Sequence, residues 1–182
     1  MQRREALKNI ALAFSSTIAL PQLLSILHSC SAKQTNKKYL FLSQEQGKVI
    51  SKISQVLLPS SNYNNEEHTD ATYFLDHMFY CTVEDNQQKH FKKSSQAFNK
   101  TFLASHHKSS SKGSIKEFKV LIDQLLNISN KKQASVLKLL KTPAIHVAES
   151  KKLQYFTYSF ITKVKYYCLF YYCSSKTYFN SQ

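Results

Sequence analysis

The chain has 182 residues, a net charge of +14 and only two glycines and three prolines. So few glycines exclude a phosphate-binding loop and a dinucleotide-binding fingerprint, because both need several residues that allow close backbone approach. A hydrophobic content of 42% is enough for one core, and the scarcity of turn residues favours a single small domain of helices joined by polar loops.

The charge is unevenly distributed along the chain. Between Ile53 and Gln88 there are six acidic residues and no lysine or arginine, whereas from Lys89 onward 17 lysines face three acidic residues. A basic half of this kind favours an acidic partner, which can be an acidic protein face, anionic lipid or nucleic acid. A biased genome composition is the alternative explanation for the same lysines.

The first 30 residues have the layout of a secretory signal. Arg3 and Arg4 are the only arginines, and Leu7, Lys8 and an uncharged apolar run over residues 10–26 follow them. This opening resembles the twin-arginine export signal, whose receptor would read guanidinium groups that lysine cannot replace. The alternative is a chance pair of basic residues in an ordinary secretory signal.

The residues around Cys30 predict where the signal ends. Residues 27–30 resemble a bacterial lipoprotein box, which makes Cys30 a lipidation candidate; the alternative is a plain cysteine beside a cleavage site. The next residues are polar and rich in lysine, as in a tether. We therefore expect a signal over 1–30, a tether over 31–40 and a helical domain over 41–182.

Two capping boxes predict the starts of helices. Ser43 is followed by Gln46, and Ser114 is followed by Glu117, each pair at the required spacing of three. Pro59 is expected to end the first of these helices. Apolar residues recur at helical spacing after both boxes: Val49, Ile50, Ile53, Val56 and Leu57 in the first helix, and Phe118, Leu121, Ile122, Leu125 and Leu126 in the second.

Two more helices are predicted between these boxes. Asp70 is a plausible N-cap for one, and Thr82 with Asp85 can cap the other. We expect the following residues to form their apolar faces: Tyr73, Phe74, His77, Met78 and Cys81 in the first, and Phe91, Ala97, Phe98 and Phe102 in the second.

The last part of the chain predicts a short helix over 131–140 and a long one from about Ala148. The long helix has a broad apolar face: Leu153, Phe156, Tyr158, Phe160, Ile161, Val164 and Tyr167. No segment alternates between apolar and polar residues as a half-buried strand would. The sequence therefore predicts an all-α fold of five to six helices.

Metal and disulfide sites have little support in the sequence. His77 and Cys81 are four residues apart on one predicted helix face, but no further ligand pair completes a zinc site. If Cys30 is lipidated, three cysteines remain, so a full set of disulfides cannot form, although one bond between Cys81, Cys168 and Cys173 is permitted outside the cytoplasm.

The tail over residues 155–179 is densely aromatic. It has two explanations: a surface that is buried against a partner, or a core helix followed by an altered end. Under the first explanation, we expect partner contacts from six aromatic residues: Tyr73, Phe74, Tyr155, Phe156, Phe160 and Tyr172.

Four short strings give the chain a family resemblance. They cover residues 3–8 (RREALK), 41–46 (FLSQEQ), 56–59 (VLLP) and 71–76 (ATYFLD). With them, the chain resembles the small subunit, subunit 3, of the gluconate 2-dehydrogenase type. It departs from that family at residues 171–175, where the family has a Gly-Tyr-Phe-Thr-Ser string followed by a further stretch.

The resemblance implies a small helical protein with no catalytic residues and no cofactor or metal of its own. It implies a partner, a flavoprotein dehydrogenase subunit of the GMC type that carries FAD, and often a cytochrome c subunit that accepts the electrons. The folded pair would leave the cytoplasm together by the twin-arginine route. We therefore expect an export escort in the cell envelope, in the periplasm and held at a membrane surface by its signal or by lipid.

Three other functions remain as alternatives. A stand-alone envelope lipoprotein could bind an acidic partner or surface through its lysine-rich half. A nucleic-acid binder would fit the charge and the aromatic residues, but it conflicts with export. An enzyme is the least expected, because no acid, base, nucleophile or cofactor motif converges in the sequence.

Overall fold

The computed structural model describes residues 38–58 and 65–174, except for the side chains of residues 65–70. All of these residues belong to one compact unit, Gln34–Gln182. The predicted signal, most of the predicted tether, Cys30 and Pro59 lie outside the described residues, and so do residues 175–182.

The described residues form six α-helices and no strand, which confirms the all-α prediction. The helices are α1 (Gln44–Leu57), α2 (Asn65–Thr82), α3 (Asp85–His106), α4 (Ile115–Leu126), α5 (Asn130–Lys141) and α6 (Glu149–Ser174). Two short 3-10 helices, Ser110–Lys112 and Ala144–His146, lie in the connections before α4 and before α6.

Both predicted capping boxes are present. The Gln46 N–H donates to the Ser43 hydroxyl at 3.2 Å, and the Ser43 N–H donates to the Gln46 side chain at 3.0 Å. At the start of α4, the Glu117 N–H donates to the Ser114 hydroxyl at 3.4 Å, and the Ser114 N–H donates to the Glu117 carboxylate at 2.7 Å. Each box satisfies N–H groups that a helix start otherwise leaves without partners.

The predicted starts of α2 and α3 were wrong. Asp70 lies inside α2, which begins five residues earlier at Asn65. The N-cap of α3 is Glu84, and its side chain makes no capping hydrogen bond. Thr82 is still in the last turn of α2, where its hydroxyl donates to the Met78 carbonyl at 2.7 Å, so it is not available to cap the next helix.

The buried face of α2 also differs from the predicted one. Phe74 and Met78 are buried as expected, but Tyr73 and His77 are half-buried and Cys81 is exposed. The buried side consists of Ala71, Thr72, Phe74, Leu75, Asp76, Met78 and Phe79. Because α2 contacts both α1 and α6, it buries a wider side than a single stripe at helical spacing predicts.

Helix α6 is the central helix of the domain and contacts α1, α2, α3 and α5. Most of its predicted apolar face is buried, but Leu153 in its first turns is 48% exposed. A row of rings runs through the core, with consecutive centroids 4.3 to 6.2 Å apart: Phe79, Phe91, Phe160, Phe98, Phe118 and Phe102. Four of the nine described aromatic residues of the tail are buried, and the other five are half-buried, so this part of the tail is a core helix with a partly exposed aromatic side.

The connection between α3 and α4 is held by polar contacts. Asn99 of α3 accepts hydrogen bonds from the Ser110 N–H and hydroxyl, both at 2.8 Å. From α1, the Lys52 ammonium donates to the carbonyl oxygens of Ser111 and Gly113 at 3.0 and 2.6 Å. Desolvation by burial, together with the positive charge of Lys48, lowers the pKa of Lys52. These contacts join α1, α3 and α4 at one end of the domain.

Candidate partner interface

A buried carboxylate holds the segment that leads into α1. Asp76 of α2 is fully buried, and its Oδ1 accepts hydrogen bonds from the N–H groups of Phe41 and Leu42 at 2.9 and 2.8 Å. Its Oδ2 accepts from the Leu40 N–H at 2.8 Å. The segment over residues 38–43 is therefore fixed to α2, because three successive backbone donors share one charged acceptor.

This contact brings together two of the strings on which the family resemblance rests. Phe41 and Leu42 belong to one string, and Asp76 ends another, although 34 residues separate Leu42 from Asp76 in the chain. The Phe41 ring also stacks on Phe79 of α2, with the centroids 5.1 Å apart. The two strings thus form one structural unit at the start of the domain.

Tyr39 lies on the same unit, although the sequence placed it in a polar tether. Its ring packs on Tyr73 with the centroids 4.8 Å apart, and it also covers Gly47 of α1. A Cβ at Gly47 would meet the Tyr39 ring at 2.2 Å, so the close approach of this ring requires glycine there. Tyr39 and Tyr73 are both half-buried, and they form a pair at the edge of the domain.

A second aromatic group surrounds Phe74 at the end of α6. The Phe74 ring is buried, and its centroid lies 5.7 Å from that of Phe170 and 5.6 Å from that of Tyr171. Tyr166 stacks on Phe170 at 6.1 Å. We refer to the five half-buried side chains of these two groups together as the aromatic surface: Tyr39, Tyr73, Tyr166, Phe170 and Tyr171.

Two phenol groups of this surface, those of Tyr39 and Tyr166, stay neutral at physiological pH. Burial, with the nearby Tyr73 and Asp76, raises the pKa of Tyr39 to about 12. Burial also raises the pKa of Tyr166. The neighbouring Tyr167, which lies under the surface, is raised to a pKa of about 12 by burial and by Tyr166. The surface therefore offers apolar rings with neutral hydroxyl groups, a combination enriched at protein–protein interfaces.

Only part of the predicted partner contacts is accessible. Phe74, Tyr155 and Phe160 lie in the core, so their side chains are covered by this chain's own residues. Tyr73, which is part of the aromatic surface, and Tyr172 of α6 are half-buried. Phe156 is also half-buried, but it packs against His90 of α3 with the centroids 5.2 Å apart. Helical spacing shows which residues share a face, but it does not show which face a neighbouring helix covers.

The sequence missed most of the aromatic surface. Tyr39 carried no signal, because its contacts come from residues 8 and 34 positions further along the chain. Tyr166, Phe170 and Tyr171 belong to the tail that was considered as a partner surface, but spacing alone did not separate them from its core residues. Their burial makes that separation, because Tyr166, Phe170 and Tyr171 are half-buried whereas Tyr155, Tyr158, Phe160 and Tyr167 are buried.

The His77–Cys81 pair has no third metal-ligating side chain beside it among the described residues. In the described ranges, no three His, Cys, Asp or Glu side chains come close enough to hold a metal ion. His77 Nδ1 lies 3.0 Å from the carbonyl oxygen of Tyr73. The same part of the chain contains no disulfide, since Cys81, Cys168 and Cys173 all have free thiols. Burial raises the pKa of the Cys168 thiol to about 12.

Two further features of the described residues bear on binding. A polar cleft of about 340 Å³ lies beside the start of α1, where Ser43, Gln46, Lys92, Asn99 and Ser110 are among the lining residues. None of the helices in residues 38–58 and 65–174 is both long enough and apolar enough to cross a bilayer.

The hydrogen bonds from Leu40, Phe41 and Leu42 to the buried Asp76 are called the carboxylate clasp below. The fold and its surface define a class of protein, namely a small all-α domain with this clasp and an aromatic surface at its edge. Within that class, the chain belongs to the gluconate 2-dehydrogenase subunit 3 family, whose model matches residues 44–182. This finding confirms the resemblance seen in the sequence, and the match includes the divergent residues 171–175. A comparison with curated proteins found no match, and neither did a comparison with solved structures.

Proposed function

We propose that this chain is a non-catalytic accessory subunit of a flavin-dependent, GMC-type sugar or alcohol dehydrogenase. The observation that carries this proposal is the family match over residues 44–182, because the family is described as subunit 3 of gluconate 2-dehydrogenase. In the assembled enzyme, FAD belongs to the partner subunit, and a cytochrome c subunit accepts the electrons. This chain contributes binding rather than chemistry.

The aromatic surface is the part of the chain that binds the flavoprotein. It combines half-buried rings with neutral phenol groups, and aromatic residues are enriched where protein interfaces bury their central area. The clasp at Asp76 supports the surface, because it fixes the backbone next to Tyr39. The surface is therefore ordered before the partner arrives, which lowers the entropic cost of binding.

Export is the second part of the proposed function. Arg3, Arg4, Leu7 and Lys8 form a twin-arginine signal, and this route carries proteins that have already folded. A flavoprotein without its own signal could then acquire FAD in the cytoplasm and leave bound to this chain. Lipidation at Cys30 would hold the pair at a membrane surface on the periplasmic side.

The export role is tested by changing both arginines to lysine, Arg3→Lys with Arg4→Lys. The chain is expressed together with a flavoprotein dehydrogenase subunit that has no signal of its own, and dehydrogenase activity is measured in the periplasmic and cytoplasmic fractions. We expect both proteins to remain in the cytoplasm, because lysine lacks the planar guanidinium group. The control is Lys37→Arg with Lys38→Arg, which exchanges the same two residue types outside the signal. Normal export of the double lysine variant would refute the escort role.

Partner binding is tested separately by co-purification from the envelope. Tyr73→Ala with Tyr171→Ala should reduce the amount of flavoprotein recovered with the chain by at least tenfold, because aromatic residues often carry most of the binding energy. Tyr80→Ala is the matched control, since Tyr80 lies on the same helix and is 58% exposed. If the unmodified chain is recovered from the envelope without any flavoprotein, the accessory-subunit proposal fails. A stand-alone lipoprotein then becomes the better description.

A further inference from the structure

One part of the surface differs chemically from the aromatic surface. Residues 119–154 form the longest stretch of the chain without Phe or Tyr, and they include all of α5. No acidic residue occurs between Asp123 and Glu149, whereas four lysines lie in α5. This part of the fold is therefore basic and aliphatic.

The exposed side of α5 concentrates these residues. With about 100° of rotation per residue, four exposed side chains share an arc of about 120°: Lys131, Leu137, Lys138 and Lys141. Val136 on the other side of the helix is buried, and α5 contacts α6. Leu137 is 53% exposed, although α5 has a side that is covered by other parts of the chain, where Val136 is buried.

The turn after α5 presents an exposed isoleucine four residues beyond Lys141. Ile145 is 84% exposed, whereas Val147, two residues later, is buried. The turn has its own hydrogen bonds, from the His146 N–H to the Pro143 carbonyl at 2.9 Å and from the Thr142 N–H to the Leu139 carbonyl at 3.1 Å. Ile145 is therefore presented to solvent by an ordered turn. We refer to Lys131, Leu137, Lys138, Lys141 and Ile145 as the lysine edge.

The composition of the lysine edge favours an anionic membrane over an acidic protein as its partner. Protein interfaces are enriched in aromatic residues and depleted of lysine in their buried centre, and the lysine edge has the opposite composition. Segments that lie on anionic membranes combine lysines, which attract the lipid head groups, with aliphatic side chains that enter the acyl boundary. The lysine edge has both components, and it needs no helix that spans the bilayer.

We infer that the lysine edge is a binding surface for an anionic lipid bilayer. Lys131, Lys138 and Lys141 face the charged head groups, and Leu137 and Ile145 enter the boundary between head groups and acyl chains. This contact is separate from any anchor at the N-terminus of the chain. Binding of lipid at the lysine edge also does not depend on which protein the aromatic surface binds.

The test uses the full chain and vesicles of two compositions, pure phosphatidylcholine and phosphatidylcholine mixed with phosphatidylglycerol. The Lys131→Gln, Lys138→Gln, Lys141→Gln triple variant should bind the anionic vesicles about a hundredfold more weakly, at about fivefold per lysine. The control triple variant, Lys89→Gln, Lys100→Gln, Lys116→Gln, removes the same charge from exposed positions on α3 and α4. It should retain most of the affinity.

A second pair of variants tests the aliphatic contact. Ile145→Ser should weaken binding to anionic vesicles about tenfold, because it removes an apolar side chain from the lipid boundary. Val120→Ser changes a side chain that is 50% exposed on α4 and should have little effect. All substituted side chains are exposed, so the variants should fold, which circular dichroism verifies.

Hydrogen–deuterium exchange separates the lysine edge from the N-terminal segment, because it reports protection locally. Anionic vesicles should slow exchange in the peptide that covers residues 137–147, and neutral vesicles should not. Equal weakening by the two triple variants would overturn the proposal, since net charge alone would then explain binding. Protection of this peptide by polyglutamate, but not by vesicles, would also overturn it and would identify an acidic protein as the partner.

Discussion

Substitution of Asp76 by asparagine tests whether the carboxylate clasp holds the start of the domain. Oδ1 accepts from two N–H groups and Oδ2 from a third, at 2.8 to 2.9 Å. Asparagine has one carbonyl oxygen, so it keeps the two bonds from Phe41 and Leu42 at best and turns its amide group toward the Leu40 N–H. It also exchanges charged hydrogen bonds for weaker neutral ones.

The expected loss follows from these bonds. A hydrogen bond to a charged group contributes about 1.5–3 kcal/mol, and a neutral one about 0.5–1.5 kcal/mol. Water can replace the lost partner of Leu40, which is 52% exposed, and neutralising a buried charge recovers part of the loss. We expect Asp76→Asn to lower the free energy of unfolding by about 2 kcal/mol. This loss corresponds to a Tm lower by about 4–8 °C for a domain of this size.

Asp76→Ala should cost more, because it leaves the N–H groups of Phe41 and Leu42 without a partner. We expect a loss of about 4 kcal/mol, which includes the desolvation cost of the orphaned donors. Thermal and urea unfolding measure both values, and trypsin cleavage after Lys38 should become faster in the same order. Asp123→Asn is the control, since Asp123 is exposed on α4 and should change stability by less than about 0.5 kcal/mol. If Asp76→Asn unfolds like the unchanged protein, or is less stable than Asp76→Ala, the clasp does not act as described.

Three further predictions concern the core, pH and the thiols. Gly113→Ala should destabilise the protein by about 1–2 kcal/mol in urea unfolding, because its Cβ would lie 2.3 Å from the fully buried Phe102 ring; full stability would show that the ring moves freely. The hydrogen bond from Lys108, with those from Ser114, lowers the pKa of Glu117 to about 2. The stabilisation that the Glu117 carboxylate contributes is therefore present above the ordinary pKa of 4.5 and is lost as the pH falls toward about 2. Glu117→Gln should therefore flatten the dependence of Tm on pH in that window, and an unchanged slope would contradict this. Iodoacetamide should modify the exposed Cys81 in the native protein but Cys168 only after unfolding, and early modification of Cys168 would contradict its burial.

The local patterns of the sequence predicted much of the secondary structure, for a physical reason. The two capping boxes and the core side of α3 depend on residues within one or two helical turns, so spacing was sufficient to find them. The family strings were also visible in the sequence. The contact between two of these strings could not be seen in the sequence, because Leu42 and Asp76 are 34 positions apart in the chain.

The tertiary structure decided which apolar faces are covered and which are presented. Spacing put Tyr73, Phe74 and Cys81 on one face of α2, but α1 and α6 together bury a different side of that helix. In the same way, Leu137 and Val136 are adjacent aliphatic residues, and only the position of α6 buries one and exposes the other. Local spacing determines which side chains share a helix face, whereas burial depends on which distant segments pack there. For this reason the sequence by itself determined the helices and the family, and the packing of α6 against its neighbours separated the core from the two surfaces.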